Sequence, residues 1–330
     1  MTTDFFAIGD IVTEPFIKLL DAHVNCSIKT DTCEICMRFG DKIPYESATH
    51  VVGVGNAPNA AVAAARLGLP TGIRTHVGDD RYGVECIEVL KKEGIDTQHV
   101  VTEQGKITNY HFVLSYESER TILVKHEEFE YAMPDTLEPP AWIYLSSLAS
   151  NSLPYHKEIE AYLSKNPSVK FAFQPGTFQM ELGYEALKNL YERSDLFFCN
   201  KEEAMRILGI TESTEIPALL ELMRERGPKT VVITDGRNGA YAYDGAKKLF
   251  VPMYPDTRPP VERTGAGDAF SSTVASALAL GHPLEEALRW GPINSMSVVQ
   301  EIGAQKGLLT REQLLVYLHE APESYKVSEV

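Results

Sequence analysis

The stretch "RTGAGDAFSS", residues 263–272, sets an acid directly behind a Gly-Ala-Gly turn and ahead of a long run of small and apolar residues. That run predicts a helix over 266–280, so the turn feeds a helix N-terminus. The first backbone N–H groups of such a helix lack intrahelical acceptors and face outward, with the positive end of the helix dipole behind them. The turn is therefore an anion hole. Gly265 and Gly267 let the backbone approach an anionic ligand with no Cβ in the way. Asp268 follows at once. A carboxylate makes sense there if it takes the proton of an attacking hydroxyl while the Gly265, Ala266 and Gly267 amides absorb charge on the group being transferred. That is the logic of phosphoryl transfer, in which positioning counts for more than basicity. A tight turn with an acidic helix cap produces the same letters, so the rest of the chain has to decide.

Around this turn, apolar strand-like runs alternate with helical ones, the pattern of an α/β protein: a doubly wound, mostly parallel sheet with helices on both faces. "FFAIGDIV" (5–12) reads as a buried first strand. In "NAPNAAVAAARLG" (56–68) Asn56 can cap a helix, Pro58 suits its first turn and Gly68 ends it. A strand over 71–77 and a helix over 82–93 follow. From 141 onward the rhythm is regular, with strands "AWIYLSSL", "VKFAF", "DLFFCN" and "KTVVITDG" separated by helices over 155–164, 182–192, 201–208 and 216–226. After a hairpin, "GAYAYDG" with "KKLFVP", the last third is helical over 266–280, 283–301 and 310–319. Two stretches break the rhythm, 13–52 and 106–131, both rich in β-type residues. The second holds "ITNYHFVLSY" and "TILVKHE" joined by "ESER", a hairpin. They are expected to pair as a small β lid on a large domain formed by 1–12, 53–105 and 132–330.

A length of 330 residues allows a sizeable core, and 44% hydrophobic with 23% charged residues is ordinary for a globular chain. The net charge of −15 argues against nucleic acid or an acidic membrane surface as partner. No apolar run approaches the ~20 residues of a membrane span, and "MTTDFFAIGD" lacks the basic start of a signal peptide, so a cytoplasmic location is expected. Five cysteines, an odd number, do not resemble a disulfide framework, and most are expected to be free thiols. Cys26, Cys33 and Cys36, with His23 nearby, have a partial zinc-ligand spacing. A second C-x-x-C is missing, so reduced thiols in the lid are the expectation, with metal binding or redox pairing the alternatives. Cys86 and Cys199 read as core.

"RTGAGDAF" resembles the C-terminal signature of the ribokinase-like (PfkB) carbohydrate kinases, and "GNAPNAAVAAARLGLPTGIRTHVGDDRYG" (55–83) resembles their N-terminal one. Two signatures in the right order are far more specific than either alone. The resemblance implies an ATP-dependent kinase that phosphorylates an alcohol of a sugar or sugar-like compound, with Asp268 as base and the Gly265–Gly267 amides around the γ-phosphate. "NKEE" (200–203) looks like the family's N-x-x-E motif, so Asn200 and Glu203 would hold phosphate and Mg²⁺ through water, although an Asn cap with Glu in the first turn fits the same letters. "TDGRNGAY" (234–241) resembles the nucleotide loop, which makes Thr234, Gly236 and Gly239 candidates around ATP, with Asn294 near adenine. For the acceptor the resemblance points to Asp10, Gly55 and Asn59, with Glu14 a further candidate. A carboxylate such as Asp10 can accept from two neighbouring hydroxyls of a polyol, at the carboxyl end of a strand where open α/β sheets bind ligands.

This chain also departs from the pattern. Val54-Gly55 replaces the usual Gly-Gly, so a hinge there is stiffer, and Glu262-Arg263 replaces the usual Asp-Thr, which puts the family's monovalent-cation site in doubt and leaves Arg263 able to reach a phosphate. The close rival is a nucleoside kinase, because 13–52 resembles the extended lids of adenosine-kinase-type members; Phe39, Tyr45, Tyr110 and Phe112 are candidates to stack on a base, or to form the lid's core. A dehydrogenase suggested by "GVGNAP" fails because Pro58 stands where a third glycine is needed, and no P-loop occurs. A non-catalytic binding homologue is disfavoured by the retention of Asp268, the anion turn and N-x-x-E. A homodimer through the lid is expected.

Overall fold

Alternation along the first strand builds the centre of the protein. In β1 (Phe5–Ile8) Phe5 and Ala7 join one apolar cluster while Phe6 and Ile8 join another, so each face of the sheet has its own core. The computed structural model describes residues 3–27, 32–117 and 119–330. The other strands are β2 (Val12–Leu19), β3 (His23–Ser27), β4 (Thr32–Cys36), β5 (Tyr45–Val54), β6 (Thr71–Gly78), β7 (Val100–Glu103), β8 (Phe112–Tyr116), β9 (Glu119–Leu123), β10 (Trp142–Leu145), β11 (Lys170–Phe173), β12 (Leu196–Asn200), β13 (Thr230–Thr234), β14 (Ala240–Tyr243), β15 (Lys248–Val251) and β16 (Ser328–Glu329).

The large sheet runs β16-β15-β14-β13-β12-β11-β10-β1-β6-β7. From β13 through to β7 every pairing is parallel, and β14, β15 and β16 add an antiparallel edge. Helices Asn56–Arg66, Ala266–Ala279 and Leu284–Val298 pack on the Phe5 face, and Leu153–Lys165, Tyr184–Arg193 and Ile216–Glu225 on the Phe6 face. The chain leaves β1 for β6 and β7 on one side and returns to β10 on the other. Strand order therefore reverses beside β1, where open α/β sheets have their ligand crevice, outside the carboxyl ends of the strands. Asp10, Ser147, Gln174, Asn200 and Thr234 all sit at such ends, at or just after β1, β10, β11, β12 and β13.

The stretches 13–52 and 106–131 supply a separate sheet of order β5-β2-β8-β9. β2 pairs antiparallel with β5 and parallel with β8, and β8 pairs antiparallel with β9. Phe16 and Val113 are buried beneath it, whereas the first six residues of β5 are exposed. The strand expected over 107–116 is shorter because Thr108 and Asn109 bond to neighbouring elements instead: the Thr108 hydroxyl donates to Asp80 and the Asn109 amide to the Ile11 carbonyl. β3 and β4 form an exposed two-stranded finger whose register sets Cys26 opposite Cys33, and a disulfide joins them. This corrects the expectation of reduced thiols there; Cys36, Cys86 and Cys199 are free, the last two buried. Among the described residues no group of three or more His, Cys, Asp or Glu side chains could hold a metal, so Cys36 and His23 do not complete a zinc site. Residues 28–31 of the expected lid and Ser118 of "ESER" lie outside the described residues. No described helix is long and apolar enough to cross a membrane.

Candidate active site

The anion turn forms as its letters demand. Gly265 caps helix Ala266–Ala279 at φ +80, and a Cβ there would stand 2.3 Å from the Ala304 Cβ, so glycine is required twice over. At Gly267 a Cβ would meet nothing within 4 Å, and the residue lines two cavities; here glycine keeps space open for a ligand. The Gly265, Gly267 and Asp268 N–H groups have no acceptor among the described residues, while the Ala266 N–H leans toward the Arg263 carbonyl at 3.4 Å. The acid of Glu262 shapes the turn, accepting from Thr264 N at 2.7 Å and Gly303 N at 3.1 Å.

Asp268 accepts from three side-chain amides: Asn56 Nδ2 at 2.7 Å, Asn59 Nδ2 at 2.9 Å and Gln174 Nε2 at 3.1 Å. Asn56 was expected to cap its own helix, but Gly55 stands at the cap, Asn56 is the first helical residue, and its amide is given to Asp268 instead. Burial raises the Asp268 pKa above the ordinary carboxylate value, the three amides oppose that rise, and the charge of Glu14 adds to it.

A cavity of about 330 Å³ beside Asp268 is lined by Asn200, Glu203, Thr234, Gly265 and Gly267, together with Glu14, Gly55, Asn59 and Gln174. Asn200 and Glu203 do cap one another: Asn200 Oδ1 accepts from Glu203 N at 2.8 Å, and Glu203 Oε2 accepts from Asn200 N at 2.9 Å. That box leaves Glu203 Oε1 without a protein partner among the described residues. Burial lifts the pKa of this acid, and the nearby Asp268 charge lifts it further. A cation at the cavity would relieve both, so these residues fit an outer-shell magnesium site.

A second cavity, of about 200 Å³, meets the first at Thr234, Arg263 and Gly267. Gly236 and Gly239 line it, and Ala240, Met253, Phe270, Met296 and Val299 give it apolar walls suited to a planar base. Asn294 does not reach it. Fully buried, it donates to Thr273 Oγ1 at 2.8 Å and accepts from Leu309 N at 2.9 Å, so both ends of its amide are spent in the core. Its neighbours Pro292, Ser295 and Met296 face the cavity instead.

The third cavity, of about 360 Å³, lies under the small sheet and shares Glu14, Gly55 and Asn56 with the first. Asp10, 6% exposed, accepts from Tyr131 Oη at 2.7 Å and pairs with His126 Nδ1 at 3.2 Å. Glu14, equally enclosed, has His111 Nδ1 at 3.5 Å and accepts no hydrogen bond among the described residues. At Gly55, φ +122, a Cβ would stand 2.6 Å from the Asp10 carbonyl oxygen. Asn59 faces Asp268 and the first cavity. Phe178, Ile122 and Val124 give the third cavity apolar walls, and no Lys or Arg lines it among the described residues. None of Phe39, Tyr45, Tyr110 and Phe112 lines it; Phe39 is fully exposed and Tyr110 packs on Tyr82 and Phe112. Gln174, Tyr131, His111, His126 and Phe178 were not singled out in the sequence. Gln174 carried one usable signal, its place directly after a strand, as with Asp10 and Asn200.

A family profile described as "pfkB family carbohydrate kinase" matches residues 23–311. A ribokinase of Haemophilus influenzae is 27% identical over 283 residues, covering 81% of this chain and 87% of that protein. A cytidine kinase of Thermococcus kodakarensis is 27% identical over 260 residues, covering 76% and 88%. In three dimensions the chain is similar to Arabidopsis thaliana ribokinase complexed with ribose and ATP, with a TM-score of 0.78, 20% identity and coverage of 96% and 99%.

Proposed function

This chain belongs to the pfkB family of carbohydrate kinases, and from that premise we propose that it moves the γ-phosphoryl group of ATP onto a hydroxyl of a neutral, sugar-like acceptor, with Asp268 as general base. The observation that carries this reading is the position of Asp268, at the mouth of an unpartnered amide turn and on the cavity that joins the other two. The apolar second cavity takes the base of the nucleotide, with Thr234, Gly236 and Gly239 around it. The triphosphate then runs past Gly267 toward the turn. On the other side Asp10 and Glu14 accept hydrogen bonds from hydroxyls of the acceptor, which directs another of its hydroxyls at Asp268.

In the transfer step the acceptor O–H gives its proton to the Asp268 carboxylate, the freed oxygen bonds to the γ-phosphorus, and the bridging P–O bond breaks, its electrons leaving on ADP. The amides of Gly265, Gly267 and Asp268 meet the charge on the moving phosphoryl oxygens. Glu203 and Asn200 would hold magnesium through water, and the ion when bound would supply positive charge that offsets that of the phosphates. The small sheet acts as a lid over the acceptor, shutting out water that would otherwise compete as nucleophile. Its edge strands β5 and β9 lack an outer neighbour among the described residues, which supports a homodimer joined lid to lid.

A neutral acceptor is supported by the third cavity. Among the described residues two carboxylates and no Lys or Arg line it, beside the His111 and His126 rings, so an acidic acceptor would bring a further negative charge against Asp10 and Glu14. A second reading, a nucleoside acceptor, is supported by the apolar wall of Phe178, Ile122 and Val124 with the His126 ring, which pack against a base more readily than against a free pentose. ADP release measured across neutral pentoses and hexoses, nucleosides, and sugar acids tests all of this. Turnover confined to neutral compounds supports the reading, a nucleoside hit selects the second acceptor class, and preference for an acid overturns the assignment of the third cavity.

A further inference from the structure

Arg263 stands where the donor and catalytic cavities meet, one of three residues that line both. A triphosphate with its base in the one and its terminal phosphate beside Asp268 has to cross that junction. The guanidinium is half exposed, and its one ion-pair partner among the described residues is Glu119 of β9, at 3.2 Å from a side chain that is 72% exposed. Glu262, the acid next to it in sequence, is occupied with the Thr264 and Gly303 amides and does not compete for it. Arg120, beside Glu119 on the same strand, lines the catalytic cavity too, so two guanidiniums stand on it opposite the carboxyls of Glu14, Glu203 and Asp268.

An ion pair between two exposed side chains is weak, because water screens it and both chains lose rotamer freedom. A guanidinium facing phosphoryl oxygens instead makes two parallel charge-assisted bonds. The balance therefore tips when a polyphosphate arrives. We propose that Arg263 is a catalytic residue that binds the terminal phosphoryl group of the donor, and that Glu119 holds it against the small sheet until that group displaces the carboxylate. The exchange couples Glu119 of β9 to the state of the donor: it holds Arg263 in the absence of the terminal phosphate and gives it up when that group binds. This inference rests on the ATP reading above.

The test is calorimetric binding of ADP and of the β,γ-methylene analogue of ATP, with Mg²⁺, to the intact protein and to Arg263→Ala, Arg263→Lys and Glu119→Gln, each first checked for an unchanged thermal melt. Arg263→Ala is expected to weaken the analogue by about tenfold or more and ADP by much less, since only the analogue carries the terminal group. Arg263→Lys recovers part of that loss. Glu119→Gln is expected to tighten the analogue by a few-fold, because the competitor is gone, and to leave ADP where it was. Equal weakening of both nucleotides by Arg263→Ala, or no weakening, overturns the assignment to the terminal phosphate; an unchanged analogue affinity in Glu119→Gln overturns the latch. If the unaltered protein binds neither nucleotide, the ATP reading falls first and this inference with it.

Discussion

Gln174 Nε2 donates to Asp268 Oδ1 across 3.1 Å while the Tyr144 hydroxyl donates to the Oε1 of the same amide. The tyrosine thereby fixes which end of Gln174 faces the acid. Asn59 is held in the same way, since Gln305 Nε2 donates to its Oδ1 at 3.1 Å and leaves Nδ2 for Asp268. With Asn56, three N–H donors converge on one carboxyl, and a protonated Asp268 would find no acceptor among them. The amides favour the ionised form while burial resists it. A general base needs both influences, to be ionised at working pH and basic enough to take a proton.

Replacing that acid by its amide removes the proton acceptor and sets an NH2 group against at least one of the three amide donors. Asp268→Asn is expected to lower kcat by about 10²–10⁴, the usual contribution of a positioned base, with nucleotide affinity within a few-fold of the original. Turnover by ADP release and affinity by calorimetry check this. A turnover within a few-fold of the unaltered protein removes Asp268 from its role.

Gln174→Leu tests the amide cradle through pH. The rate requires ionised Asp268, so activity falls as pH drops through its pKa, which burial sets above the ordinary 3.8. Gln174 is one of the groups that lower that pKa, so its loss raises the value further and moves the acid limb of kcat/KM toward neutral pH. A role in packing alone would lower the rate at every pH and leave the limb in place.

What the sequence made legible was local. The Gly265–Asp268 turn and the Asn200–Glu203 cap are each written within four or five letters, and alternation gave the βα order from 141 onward. Asp10 was legible because a strand ends just before it. Tyr144 and Gln305 were not, because their contribution lies in orienting amides that other elements bring alongside. The place of Asn294 depends on helix phase in a related way. One residue of helix turns the side chain by about 100°, so Ser295 faces the donor cavity while Asn294 faces the core. The pairing of Cys26 with Cys33 depends on the register of β3 against β4, which spacing alone leaves open.

Asn294 therefore carries a stability prediction instead of a binding one. Asn294→Leu strands the buried Leu309 N–H and loses the bond to Thr273, at an expected cost of about 1–3 kcal/mol by denaturant unfolding. The KM for ATP should stay within a factor of about two, since the side chain lines no part of the cavity. A raised KM with unchanged stability would return the residue to the nucleotide site.

His156 makes the fold sensitive to acid close to the site. Fully buried, its ring places Nδ1 2.7 Å from the Ser152 carbonyl and Nε2 3.0 Å from Gln179 Nε2. Gln179 Oε1 already accepts from Gly176 N at 2.7 Å, so its Nε2 is the donor and the imidazole must accept at Nε2, which requires the neutral ring. Gln179 Nε2 also reaches the Ser146 carbonyl at 2.9 Å, so this pair ties the segment after β10, with Ser147, to the segment after β11, with Gln174. Burial lowers the His156 pKa from 6.5 to about 4. The unfolded chain then takes up a proton below pH 6.5 that the native state refuses until about pH 4. Stability from this group is complete above 6.5 and is lost as pH falls through that window, by about 3 kcal/mol in all. His156→Gln keeps a polar side chain without the titration. It should be clearly less stable than the original protein at pH 7, with the gap narrowing steadily toward pH ~4.5 in denaturant unfolding. A gap that stays constant across that range would mean the native ring takes up its proton at the same pH as in the unfolded chain, which contradicts the donor arrangement of Gln179.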